Sequence, residues 1–200
     1  KKLKALLEYE MMTLAYDENF NLDIIKNGIH GGVTKEINKD WSAGAGYRLS
    51  AYSYFHAQED NFYENAGYWN LKENLPMKMF HQLGYELSYR NYMHRLTRVN
   101  AATETDKKRG DLRHTVNYDI GKYFPNDLFK AGCEYFNNNS NDQFINYYDY
   151  DSYKASASLT HIFNDKFFGF LAFSRQLREY RTRSITLDPL AKEWDKTYTL

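Results

Sequence analysis

Residues 41–52 read WSAGAGYRLSAY. Taken two apart, Trp41, Ala43, Ala45, Tyr47, Leu49 and Ala51 form one series, and Ser42, Gly44, Gly46, Arg48, Ser50 and Tyr52 the other. Successive side chains of a strand point to opposite faces, so this stretch predicts a strand with one apolar face and one small or polar face. The split recurs down the chain. Leu83, Tyr85, Leu87 and Tyr89 oppose Gln82, Gly84, Glu86, Ser88 and Arg90, while Leu112, Val116, Tyr118 and Ile120 oppose Asp111, Arg113, Thr115, Asn117 and Asp119. Further on, Phe129, Ala131, Cys133 and Tyr135 oppose Lys130, Gly132 and Glu134, and Ala155, Ala157 and Leu159 oppose Lys154, Ser156, Ser158 and Thr160.

Carried in both directions, the alternation predicts about ten strands, at roughly 3–16, 20–37, 41–56, 62–73, 79–93, 110–123, 128–138, 147–163, 167–180 and 191–200. Most are longer than the ~5–6 residues usual in soluble sheets, and they satisfy the ~9–11 residues of a tilted strand that crosses a bilayer. The connections alternate in length as well. Asn38 to Asp40, Asn74 to Lys78, Pro125 to Asp127 and Asn164 to Lys166 are tight, whereas 57–61, 95–109, 139–146 and 181–190 read as longer polar loops. An antiparallel meander puts every second connection at the same end, so one end carries turns and the other loops. Only Asp17 to Asn19 is short at the loop end.

Two of the tight turns are nearly the same phrase, KYFPNDLFKA at 122–131 and HIFNDKFFGF at 161–170. Asn, Asp and Pro suit a reversal because they accept turn dihedrals and bond their own backbone. Large rings on both shoulders do not suit water. At a membrane interface, Trp41, Phe124, Phe129, Phe163, Phe167 and Phe168, with Leu128, would form an aromatic girdle. Tyr52, Tyr54, Tyr92, Tyr147, Tyr148 and Tyr150 would form a second band at the loop end.

Composition narrows the class. Aromatic residues make up 18% of the 200 residues, with 19 Tyr and 13 Phe, and only 3 Pro argue against a Pro-rich disordered tail. Lys and Arg number 26 and Asp and Glu 26, so no global field favours nucleic acid. The single Cys133 makes no internal disulfide. No run approaches the ~18 apolar residues of a membrane helix, and KKLKALLEYE, interrupted by Glu8 and Glu10, lacks the apolar core of a secretory signal. The tail EWDKTYTL still alternates and ends on Leu200 in place of a terminal aromatic, which leads us to expect further strands.

The expected fold is therefore all-β: residues 1–200 form one domain, an antiparallel up-and-down transmembrane β-barrel. An apolar exterior around a polar interior reconciles a mean hydropathy of -0.76 with abundant Tyr, Phe and Leu. A soluble β-sandwich or propeller, burying the rings between sheets, is the competing architecture. Arg175, in phase with Leu171 and Phe173, and Asn27, in phase with Ile25 and Ile29, run against the barrel pattern. A Lys or Arg at mid-bilayer costs roughly 2–4 kcal/mol, so either a bulge after Phe173 or a position near an interface is expected.

The polar phases nominate Arg48, Lys72, Glu86, Arg90, Arg113, Asp119, Lys130, Glu134, Lys154 and Arg178 as lining residues. Such a mixed set suits a water-filled passage with weak ion selectivity, or an ion-pair lattice that braces the wall. Catalysis is not expected. The six histidines are scattered, no nucleophile elbow or His-Glu-x-x-His occurs, and His56 and His94 read as rim residues. Asn137 to Asp142 with Asp149 and Asp151 lack the ordered spacing of a Ca²⁺ loop, so neither metal nor cofactor is expected. Lys107-Lys108-Arg109 reads as a solvated cationic tip able to touch lipopolysaccharide phosphates.

Arg109-Gly110-Asp111 opening a strand, then Tyr135, then Asn139-Ser140-Asn141 and Tyr148-Asp149-Tyr150 opening the next, resembles a pattern in Gram-negative outer-membrane barrels. These are the barrels attached to tetratricopeptide-repeat domains, such as exopolysaccharide export porins and surface lipoprotein assembly modifiers. The resemblance spans roughly 109–180. It implies a bacterial outer-membrane barrel engaged in export and supplies neither a catalytic residue nor a substrate. The polar lining is what makes a polar solute or polymer the expected cargo, and a periplasmic partner is expected beside the bilayer. An adhesin-like surface binder, or a sheath of the kind that encloses electron-transfer cytochromes, is the alternative.

Overall fold

The computed structural model describes the backbone of residues 2–15, 23–100, 103–142, 149–164, 166–185 and 188–199, and side chains up to Arg181 apart from that of Asn100. Ten strands follow one another: β1 Leu3–Leu14, β2 Ile24–Glu36, β3 Trp41–Tyr54, β4 Phe62–Leu75, β5 Met79–Asn100, β6 Thr103–Tyr123, β7 Asp127–Ser140, β8 Tyr150–Asn164, β9 Phe167–Ile185 and β10 Asp188–Thr199. They form a single antiparallel up-and-down sheet in sequence order, not the two packed layers of a sandwich.

The tight turns are made as their residues require. Asn38 Oδ1 accepts hydrogen bonds from the backbone N–H groups of Asp40 and Trp41, both at 2.8 Å. Asn164 Oδ1 does the same for Lys166 at 2.9 Å and Phe167 at 3.1 Å. The β4–β5 turn passes through a 3-10 turn at Pro76–Lys78, with Met77 and Lys78 both at φ 59, a region most side chains avoid.

The two faces differ as the alternation requires. Ser50 pairs with Glu64, Glu64 with Arg90 and Arg90 with Asp111, so polar residues from four consecutive strands share one face. On it Ser50 and Ser152 are 1% exposed and Glu64 4%. A single layer can cover side chains in this way only by curling over them, which makes this the concave face. The convex face carries Tyr47, Leu49, Trp69, Leu87, Tyr118, Leu159 and Phe173, all exposed. Among the described residues the buried set holds more polar than apolar side chains.

Several expectations are corrected. The loop expected at 95–109 is mostly strand, because β5 and β6 continue as a hairpin to Asn100 and Thr103. Register shifts between Asn91 and Leu96, and again beyond, carry it past the body of the sheet. Likewise β9 runs to Ile185 and β10 starts at Asp188, inside the expected 181–190 loop. No bulge separates Phe173 from Arg175: Ala157 pairs with Phe173 and Ala155 with Arg175 in unbroken register, so Arg175 stays on the convex face. Asn27 also stays there, where Tyr9 donates a hydrogen bond to its Oδ1 at 2.8 Å. The connection Asp17 to Asn19, Tyr147 and Tyr148 lie outside the described residues.

Candidate functional site

The concave face is organised around Glu64, whose side chain is 5% exposed. Its carboxylate lies 2.6 Å from Arg90 Nε, 3.3 Å from Arg113 Nη1 and 3.5 Å from Arg48 Nη2. The guanidiniums come from β5, β6 and β3, so one carboxylate ties together four strands. Withdrawing a carboxylate from water costs several kcal/mol, and this cost is offset only where partners satisfy its lone pairs. Arg48 Nη2 also donates to Glu86 at 2.9 Å, and Arg113 Nε to Asn138 Oδ1 at 2.8 Å.

Aromatic rings hold the guanidiniums from the side. Arg90 lies 4.5 Å from the Phe62 ring centre, Arg109 4.5 Å from Tyr92, Arg113 4.9 Å from Phe136 and Arg178 4.8 Å from Tyr150. Each such contact contributes about 0.5–2 kcal/mol and fixes the plane of the charge. Arg109, expected at a solvated tip, is 4% exposed and grips Asp111 through two hydrogen bonds, Nε at 3.0 Å and Nη2 at 2.7 Å. Above it Arg95 pairs with Asp60.

The remaining nominated residues share this face without joining the cluster. Lys130 pairs with Asp119 at 3.0 Å, and Glu134 and Lys154 are register partners on β7 and β8. Lys72 sits 4.3 Å from the Phe80 ring centre, nearer the turn end. Tyr68 leans across the same face to His30 Nε2, at 2.5 Å, and lies so closely over Gly46 that a Cβ there would collide with its ring. Glycine is required at that point for contact, not for dihedral freedom.

The rings divide differently from the two bands expected. Trp41 and Phe129 occupy the convex phase, and Phe163 lies against Gly169 there; Phe124 and Phe167 are exposed beside their turns. Phe168 does not join them. It pairs with Ile162 and falls in phase with Phe170, Ser174 and Gln176, on the concave side. Tyr52, Tyr92 and Tyr150 likewise face inward: Arg90 lies 5.9 Å from the Tyr52 ring centre, Tyr92 is 7% exposed, and Tyr150 stacks under Arg178. The convex tyrosines toward the loop end are Tyr63, Tyr89, Tyr135 and Tyr153, all exposed.

Glu64 and Asp111 are the functional candidates that sequence reading passed over. Glu64 shares its phase with the apolar Phe62 and Ala66, so alternation alone did not mark it. At the loop end the carboxylates are engaged by donors. Ser140 N–H donates to Asp149 at 2.6 Å and Asn137 Nδ2 to Asp151 at 2.7 Å. Burial pushes the Asp149 carboxyl up, against the opposing pull of the Ser140 hydrogen bond. His56 and His94 are both exposed, and among the described residues no three His, Cys, Asp or Glu side chains come together as metal ligands. Compared with protein-family models, curated proteins and solved structures, the chain matches none.

Proposed function

We propose that this chain is the wall of a β-barrel in a bacterial outer membrane, serving as a non-catalytic conduit for a polar solute or an exported polymer. The observation that carries this reading is the inversion of the two faces. Exposed Leu, Phe, Tyr and Trp cover the convex side, while Glu64, Asp111, Arg109 and Asn138 are buried on the concave side. Lipid accepts the first face, and a membrane-spanning sheet must close so that no backbone group is left unpaired. Strand length agrees: the shortest strands have 12 residues, against the ~9–11 that a tilted crossing needs. The polar phase would then line the passage.

A second reading, a binding or structural barrel, draws on the ties among β3, β4, β5 and β6 through Glu64, which brace the wall. Single-channel conductance of the detergent-folded chain in planar bilayers separates the two. Discrete, salt-dependent conductance is expected; a fully folded protein that passes no current would overturn the conduit in favour of the braced barrel.

A further inference from the structure

The loop end of the concave face holds more than a water-filled passage requires. A cavity of about 270 Å³ opens there. Its wall carries four guanidiniums, those of Arg90, Arg95, Arg109 and Arg113, and two carboxylates, those of Asp60 and Asp111, a formal excess of two positive charges. Counting Glu64 behind Arg90 and Arg113 still leaves an excess of one. The turn end of this face is cationic too, its cavity lined by Lys2, Lys4, Lys39 and Lys72 against Glu36, but those charges are point-like ammoniums without the planar guanidinium edge found here.

The guanidiniums are also prepared for a ligand. Stacking on Phe62 fixes the plane of Arg90, and Arg109 is held over Tyr92. Among the described hydrogen bonds Arg90 uses only Nε, toward Glu64, so both Nη groups remain for another acceptor. A fixed guanidinium edge matches the paired oxygens of a carboxylate or phosphate. The rings of Tyr54 and Tyr150, also in the wall, offer flat surfaces to the carbon part of such a molecule.

We propose that this cavity binds a small organic anion, a carboxylate or a phosphate ester, and that it biases the conduit toward anionic polar solutes. The bias rests on the conduit reading; the binding does not. The test is calorimetric titration of the detergent-folded full chain with succinate, with inorganic phosphate and with neutral succinamide. At least one anion is expected to bind and the diamide to be silent; which anion binds assigns the accepting group. Arg95→Gln removes a half-exposed cation and should weaken anion binding about tenfold, the worth of one charge-assisted hydrogen bond. Lys39→Gln, at the turn end, should leave it unchanged.

Succinamide binding as tightly as succinate, no binding of either anion to folded protein, or equal weakening by Lys39→Gln would each overturn the site. Reversal potentials across a KCl gradient separate the two readings. A chain that conducts but binds no anion loses the site and keeps the conduit, whereas one that binds the anion and passes no current keeps the site and loses the conduit.

Discussion

Tyr89 and Tyr92 stand three residues apart on β5 in unlike surroundings. Tyr89 is 43% exposed on the convex face, while Tyr92 is 7% exposed beneath Arg109, its hydroxyl 3.3 Å from Asp111. The same contrast separates the faces as wholes. On the convex side polar side chains pair locally, some with a tyrosine hydroxyl, as Tyr9 donates to Asn27, Tyr47 to Asn65 and Tyr135 to Asp151, and others near the turns with each other, as His81 with Glu73 and His161 with Asp127. On the concave side the charges hold one another and the rings lie beneath them. Parity along the strand, not the residue type, decides which role a ring takes.

Glu64→Ala tests the concave half most severely. It leaves Arg48, Arg90 and Arg113 facing one another without their shared acceptor. The loss should be about 3–5 kcal/mol, measured by urea unfolding of the detergent-folded chain. Leu87→Arg tests the convex half. If lipid covers Leu87, the substitution costs about 2–4 kcal/mol in a bilayer, whereas on a water-facing surface it changes stability by under about 0.5 kcal/mol. Arg175→Leu is its mirror and should stabilise the lipid-embedded protein by up to about 2 kcal/mol, with no gain if water covers that face. Gly46→Ala should cost about 1–3 kcal/mol by pressing on both Tyr68 and the Gly31 carbonyl, and Tyr68→Ala in the same chain should recover only the part due to the ring. The smallest effect lies outside both faces. Lys78→Gly, at φ 59, should raise the unfolding midpoint by the equivalent of about 1 kcal/mol.

Alternation made the faces legible in advance, because a one-residue slip would move every side chain to the wrong side. It ordered Arg48, Glu86, Arg90 and Arg113 on one face without revealing that Glu64 gathers three of them. Such a gathering depends on which residues of neighbouring strands stand side by side, and register is set by turns and bulges spread along the chain. The β5–β6 extension was hidden by its register shifts, which break the period where Thr97, Arg98, Glu104 and Lys107 already read as loop. Arg109 looked solvated because 95–109 read as loop; within a strand, Asp111 two residues on falls in its phase, while the ring of Tyr92 is recognisable only once β5 and β6 are paired. Phe168 misled for another reason. The start of β9 carries Phe167, Phe168, Phe170 and Leu171, apolar on both phases, so no alternation could assign its faces.

The order of the sheet has a further consequence. Each strand docks on the one before it in the chain, so a duplicated hairpin could be spliced in without re-routing any other connection. In a closed wall the circumference grows about linearly with strand count. Bore is then a modular quantity, open to widening by tandem gene duplication, while the chemistry of each stave is inherited intact.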